Sequence, residues 1–263
     1  MLTHKTIKRE YGEVHYWVSD KKKDAIVFTH GALMNHNLFR CQIDFFAKEY
    51  TVVTWDVPAH GLSRPYQPFS LKQAAVDMIA LLDAEGIKRA HLVGQSMGGY
   101  IIQIVARDYA SRVNSLTIIG SSPLQPQYYS AIDNWLLSIT PFVLKMYPYQ
   151  YLIKIIAQQV SSTPDGQSYA FNTLQQYTKA EIVKVMKAVY VGVRQYYQNT
   201  TLSVPILITY GANDKTGRVK AYSNRWAKLE SRQLKVIRQA AHNANMDNPR
   251  AFNEILKIYL VQQ

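Results

Sequence analysis

The chain has 263 residues, 48% hydrophobic and 18% charged, which suits one sizeable α/β domain without a second core. No apolar run is long enough to span a bilayer, no apolar signal segment follows Met1-Leu2-Thr3-His4-Lys5, and the single Cys41 excludes an internal disulfide, so a cytoplasmic protein is predicted. The formal net charge of +12 is dispersed, without a run of five basic residues or a nucleic-acid motif; a solvated surface is expected, and no nucleic-acid partner.

In chain order, residues 6–18 predict a hairpin about a turn at Tyr11-Gly12-Glu13. Strands and helices then alternate. Residues 25–29 form a buried strand, 36–48 a helix and 51–55 the next strand. Ser70 opens a helix with Gln73 at the capping-box position and Gly86 as its stop. A strand over 90–94 leads through Gly94-Gln95-Ser96-Met97-Gly98-Gly99 into a helical pattern, and residues 112–120 form another strand. Late strands at 204–210 and 233–238 are each followed by a helix, the last entered through Asn248-Pro249. Repeated strand–helix units imply a parallel sheet with helices on both faces and a ligand crevice beyond the carboxyl ends of the strands.

Residues 123–203 break this rhythm: they show helical patterns but no strand. Pro164 marks one helix start, and Thr178 with Glu181 another. About half of the 19 tyrosines fall here, including Tyr128, Tyr129, Tyr147, Tyr149, Tyr151, Tyr196 and Tyr197. They suit either an ordinary insertion held by packing and hydrogen bonds, or a lid over the crevice; the position between two chemically active strand ends favours the lid. Asp133, inside this insertion, is expected at the surface.

The pattern Gly94-Gln95-Ser96-Met97-Gly98, set between strand and helix, is a nucleophile elbow. A serine hydroxyl needs a base to take its proton and an acid to orient that base. Asp214 lies in the turn after strand 204–210, and His242 lies just beyond strand 233–238. Each alone suits a plain loop residue; together Ser96, Asp214 and His242 occur in the chain order the elbow demands. No carboxylate follows strand 112–120 in Ile119-Gly120-Ser121-Ser122-Pro123, which leaves the acid to Asp214. Oxyanion donors are expected from the Met97 amide and, in His30-Gly31-Ala32-Leu33, from Ala32 rather than Leu33. His30 is expected to shape its loop.

Over essentially its whole length the chain resembles the α/β-hydrolase superfamily. The resemblance rests on His30-Gly31, on residues 56–63, on the elbow, on Gly211-Ala212-Asn213-Asp214 and on His242 with Asp247-Asn248-Pro249. Residues 56–63 are similar to the family's D-x-P-G-H-G-x-S loop, with Ala59 in place of the first glycine; the loop is mainly structural there, so Asp56 and His60 are not assigned to catalysis. Ala241 replaces a glycine that often precedes the histidine. The resemblance implies a mostly parallel eight-stranded α/β fold, with residues 1–122 and 204–263 as the core and 123–203 as a helical cap. Dehalogenases and epoxide hydrolases of this fold use aspartate where Ser96 stands. Carbon–carbon bond hydrolases share a similar Ser-Met-Gly-Gly but often carry a tryptophan soon after the histidine, where Asn243-Ala244-Asn245-Met246 follows here. Haloperoxidase-like and small-ester esterases remain closest. The expected activity is hydrolysis of a small or modest carboxylic ester without metal or cofactor, with the cap supplying the substrate contacts. Lactone, thioester, amide or carbon–carbon cleavage on the same residues stays open, as does a small-molecule receptor.

Overall fold

The computed structural model describes residues 2–195 and 201–263. Its strands are β1 (Thr3–Arg9), β2 (Gly12–Val18), β3 (Ala25–Thr29), β4 (Thr51–Trp55), β5 (Ala90–Gln95), β6 (Val113–Ile119), β7 (Ile206–Gly211) and β8 (Gln233–Ile237). They form one sheet in the order β1-β2-β4-β3-β5-β6-β7-β8. The pairings β1–β2 and β2–β4 are antiparallel, and the rest are parallel.

The helices are α1 (Arg40–Phe46), α2 (Leu71–Ala84), α3 (Met97–Asp108), α4 (Ala131–Met146), α5 (Tyr149–Val160), α6 (Pro164–Leu174), α7 (Lys179–Gln195), α8 (Val219–Leu229), α9 (Ala244–Asp247) and α10 (Pro249–Val261). Helices α4 to α7 interrupt the sheet between β6 and β7. Tyr196 and Tyr197 lie outside the described residues.

Every residue of β3, β4, β5 and β7 is buried, as continuous apolar runs require when both faces of a sheet are covered. Burying each large aliphatic side chain is worth about 1.5–3 kcal/mol. The edge strands differ: β1 is largely exposed and carries Lys5, Lys8 and Arg9, charges that discourage pairing with another chain.

Connectivity places the crevice. From β3 the chain steps to β4 on one side, then returns to β5 on the other. The strand order therefore reverses between β3 and β5, and their carboxyl ends flank a topological switch point. Thr29 is level with Gly94 across this pair, so the loop after β3 and the elbow after β5 begin side by side.

Local starts and stops follow side-chain chemistry. Ser70 accepts from the Gln73 amide, Thr163 from the Gly166 amide and Asn248 from the Ala251 amide, each satisfying an orphan donor at a helix start. Thr178 and Glu181 form the expected reciprocal box.

Four expectations need correction. The β1–β2 turn falls at Glu10-Tyr11, because Gly12 already pairs with Arg9. The 36–48 segment is a short 3-10 turn (His36–Phe39) followed by α1, which ends at Phe46. Gln73 completes only half a box: its amide donates to Asp77 at 3.0 Å, where a buried carboxylate competes for it. Asp133 is buried rather than at the surface. Its carboxylate accepts from the Ser130 amide and hydroxyl at the start of α4 and pairs with Arg218 at 3.0 Å. Those donors replace the water it loses.

Ala59 has φ +66°, a left-handed conformation that costs a residue with a Cβ about 1 kcal/mol. It is held there by its amide donating to Ser63 O at 3.0 Å and by His60 N–H donating to Val57 O at 2.9 Å. Ala59→Gly is expected to raise unfolding free energy by up to about 1 kcal/mol, measured by denaturant titration; an unchanged or lower midpoint would show that the loop carries no such strain.

Candidate active site

Ser96 lies between the end of β5 and the first turn of α3 with φ +51° and ψ −113°. Left-handed backbone at a serine is uncommon and must be held from outside. Here Ser96 N–H donates to Ile119 O at 2.8 Å, and Gly99 N–H donates to Ser96 O at 2.9 Å. The helix start packs so tightly on β3 that a Cβ on Gly98 would stand 2.2 Å from Thr29 O, so only glycine fits. Met97 is the first residue of α3, where amides have no partner within the helix.

The loop after β3 closes on this turn. A Cβ on Gly31 would lie 3.2 Å from Ser96 Cβ, which places residues 30–33 against the serine. His30 holds that loop: its Nδ1–H donates to Gly31 O at 2.8 Å, and its Nε2 accepts from Val57 N–H at 3.0 Å. Both nitrogens are used and the ring is fully buried, which suits a structural histidine. Leu33 adopts φ +64° in the same loop.

Asp214 and His242 meet. His242 Nδ1 is 2.8 Å from Asp214 Oδ2, and because a carboxylate only accepts, Nδ1 carries a proton; in the neutral ring the acceptor is then Nε2. Asp214 Oδ1 accepts from Thr216 N–H at 2.8 Å. Burial alone would raise the Asp214 carboxyl; the His242 ring and the Thr216 donor outweigh it and hold it below its ordinary value. Both side chains are buried.

Two further residues organise the site, and the sequence reading missed both roles. Gln95, beside the serine, donates through Nε2 to His242 O at 3.1 Å, joining the elbow to the histidine loop. Asp247 Oδ2 accepts from Ala241 N–H at 2.7 Å and from Ser162 N–H at 2.8 Å, while Oδ1 accepts from Ser161 and Thr163. Asn243 N–H donates to Val160 O at 2.7 Å. The turn between α5 and α6 is thus bound to the residues on either side of His242. A carboxylate five residues after the histidine was a visible signal, but its partners in the α5–α6 turn are about 85 positions away.

Tyrosines fasten the inserted helices elsewhere. Tyr169 OH donates to Asn35 O at 3.1 Å, and Tyr177 OH accepts from Gly61 N–H at 3.4 Å. Tyr128 OH donates to Glu230 at 3.0 Å. A cleft of about 460 Å³ opens between residues 59–69 and α7, but Ser96, Asp214 and His242 do not line it. Among the described residues no group of three or more His, Cys, Asp or Glu is arranged to hold a metal ion.

Asp56 and His60 are buried in the loop after β4. Asp56 accepts from His36 N–H and His36 Nδ1–H at 2.8 Å and from Leu62 N–H at 2.7 Å. His60 is fully buried, donates from Nδ1 to Pro58 O at 3.0 Å and packs edge-on against His30 at 5.3 Å.

The residues 24–249 match the model of the alpha/beta hydrolase fold family, and the chain belongs to that family. It is a hydrolase of the α/β fold. Among curated proteins it is similar to 3-oxoadipate enol-lactonase 2 of Acinetobacter baylyi, 24% identical over 255 residues, covering 89% of this chain and 88% of the relative. Among solved structures, Est816, described as an N-acyl homoserine lactone degrading enzyme, superposes with a TM-score of 0.80 at 21% identity over 96% of this chain and 99% of that one. The enol-lactonase from Burkholderia xenovorans LB400 gives 0.79 at 17% identity, over 98% and 100%. These two structures share the fold.

Burial pushes His30 down to about 4 and His60 to about 3, the His30 charge adding to the latter. Both folded values lie below the unfolded one near 6.5, so the unfolded chain binds more protons between the two. Stability is present in full above about pH 6.5 and falls as pH drops toward 4, by up to about 1.4 kcal/mol per pH unit for each histidine. Denaturant unfolding at pH 7, 6 and 5 should show that slope, reduced in His60→Gln; a flat profile would mean that the rings protonate inside the fold.

Proposed function

We propose that this chain is a serine hydrolase of carboxylic esters in which Ser96 is the nucleophile, His242 the general base and acid, and Asp214 the group that orients the histidine. The observation that carries the reading is the Asp214–His242 hydrogen bond of 2.8 Å, which selects the tautomer whose Nε2 is the acceptor, at a site joined through Gln95 to the left-handed Ser96 turn.

Ser96 Oγ attacks the ester carbonyl as its proton passes to His242 Nε2. The imidazolium so formed stands beside the Asp214 carboxylate. The carbonyl oxygen becomes an oxyanion, for which the amides of Met97 and Ala32 are the proposed donors. Collapse breaks the ester C–O bond, His242 returns the proton to the leaving alcohol, and an acyl group remains on Ser96. Water then gives a proton to His242 and its oxygen to the acyl carbon; the bond from that carbon to Ser96 Oγ breaks, His242 returns the proton to Oγ, and the acid is released. Water is the only co-substrate.

In this reading residues 1–122 and 204–263 are the core and 123–203 a cap that shapes the acyl pocket, supported by the bonds from Asp247 to the α5–α6 turn and from Tyr169 and Tyr177 to core loops. A cytoplasmic location rests on the single cysteine. The enol-lactonase relative favours a second reading on the same residues, hydrolysis of a cyclic ester, in which the leaving alcohol stays attached to the acyl group.

Ser96→Ala is expected to keep its melting temperature and to lose covalent labelling by a fluorophosphonate; persistent labelling would remove Ser96 from the reaction. Asp214→Asn should lower kcat by about 10⁴ with the acylating residue unchanged, since an amide no longer fixes the imidazole tautomer. Turnover of p-nitrophenyl esters of graded acyl length, set against five- and six-membered lactones, separates the two readings.

A further inference from the structure

α4 carries its apolar residues at the spacing of a helix that buries one face, with Ile132, Trp135, Leu136, Phe142, Val143 and Met146 on a single stripe. That stripe points outward. Ile132 and Phe142 are each 67% exposed, Trp135 59% and Met146 71%. The side turned toward the protein holds Asp133 and the partly buried Leu137 and Leu144. The stripe continues at the α4–α5 junction through Tyr147 and Tyr151, both exposed, with rings 6.0 Å apart. Single exposed apolar side chains are ordinary, but a continuous stripe along a four-turn helix marks a contact surface.

The charge around it has one sign. Residues 123–195 contain six Lys and Arg against three acids. The acids are already engaged: Asp133 with Arg218, Asp165 with Arg40, and Glu181 with Thr178 and Arg64. Lys145, Lys187 and Arg194 line the groove between α4 and α7 beside Phe142 and Val191. The apolar face is therefore bordered by cations.

We propose that this face is a docking surface for a lipid bilayer bearing anionic headgroups. Trp135, Phe142 and Met146 enter the boundary between headgroups and acyl chains, and Lys145, Lys187 and Arg194 meet the headgroup charges. No described helix is long and apolar enough to cross a membrane, so α4 lies in the plane of the surface. Apolar insertion and electrostatic attraction each bind weakly alone, and together they give stable, reversible attachment. A second copy is the poorer occupant, because two-fold pairing of this face sets like charges of Lys145 and Lys187 against each other.

The test is co-sedimentation of the full chain with phosphatidylcholine vesicles, with and without phosphatidylglycerol. Partition onto the mixed vesicles is expected, with a blue shift of tryptophan emission and much weaker partition onto pure phosphatidylcholine. The substitutions W135S and F142S together, at exposed positions, should weaken partition at least about tenfold without lowering the melting temperature. K145E with K187E should remove the preference for anionic lipid. Absence of partition by the parent chain at low salt overturns the proposal. So does equal partition by the W135S/F142S variant, which would leave only diffuse charge attraction, or a dimer in the ultracentrifuge that this variant dissolves. None of these readouts depends on turnover.

Discussion

The left-handed backbone at Ser96 is the constraint around which the molecule is arranged. Such a conformation costs of order 1–3 kcal/mol and survives only where neighbours over-determine it. β5 supplies that, buried between β3 and β6 at the middle of the sheet. The Ser96 amide is fixed by Ile119 O, and α3 lies close enough to Thr29 O to exclude any side chain at Gly98. The same strand order makes β3 and β5 the switch point, so the support for the strain and the opening of the crevice come from one topological fact.

Electrostatics at the site are arranged by burial and by directed donors. Asp214 keeps its charge because His242 and Thr216 replace its lost water, whereas His30 and His60 lose theirs because nothing buried with them favours the cation strongly enough. Neutral His30 can then act as donor and acceptor at once, which a protonated ring cannot. Asp247 extends the network outward: one carboxylate anchors both the histidine loop and the α5–α6 turn, so displacement of the inserted helices is mechanically coupled to the backbone around His242.

Much of the core was legible from local chemistry. Alternating apolar runs and helical periods located all eight strands, and the caps at Ser70, Thr178 and Asn248 follow from side-chain oxygens three residues from an orphan amide. The exceptions are instructive. Gln73 left its capping role because Asp77, four residues on and buried in the fold, competed for its amide. Asp133 was misplaced because nothing adjacent in sequence announces Arg218. The Asp214–His242 contact was legible as chain order alone, and its hydrogen-bond geometry was not.

The amino-acid sequence by itself determined the strand–helix alternation, the glycine-flanked serine turn and the order of serine, acid and histidine, because each depends on residue type and on neighbours a few positions away. Tertiary structure decided what depends on partners distant in the chain. It set the pairing of Gln95 with the His242 loop and the bridge from Asp247 to the inserted helices. It also decided which way α4 faces. Periodicity records that a helix has an apolar side, but only the packing of α4 against α7 shows that this side is turned to solvent, because orientation is set by contacts that no local pattern encodes.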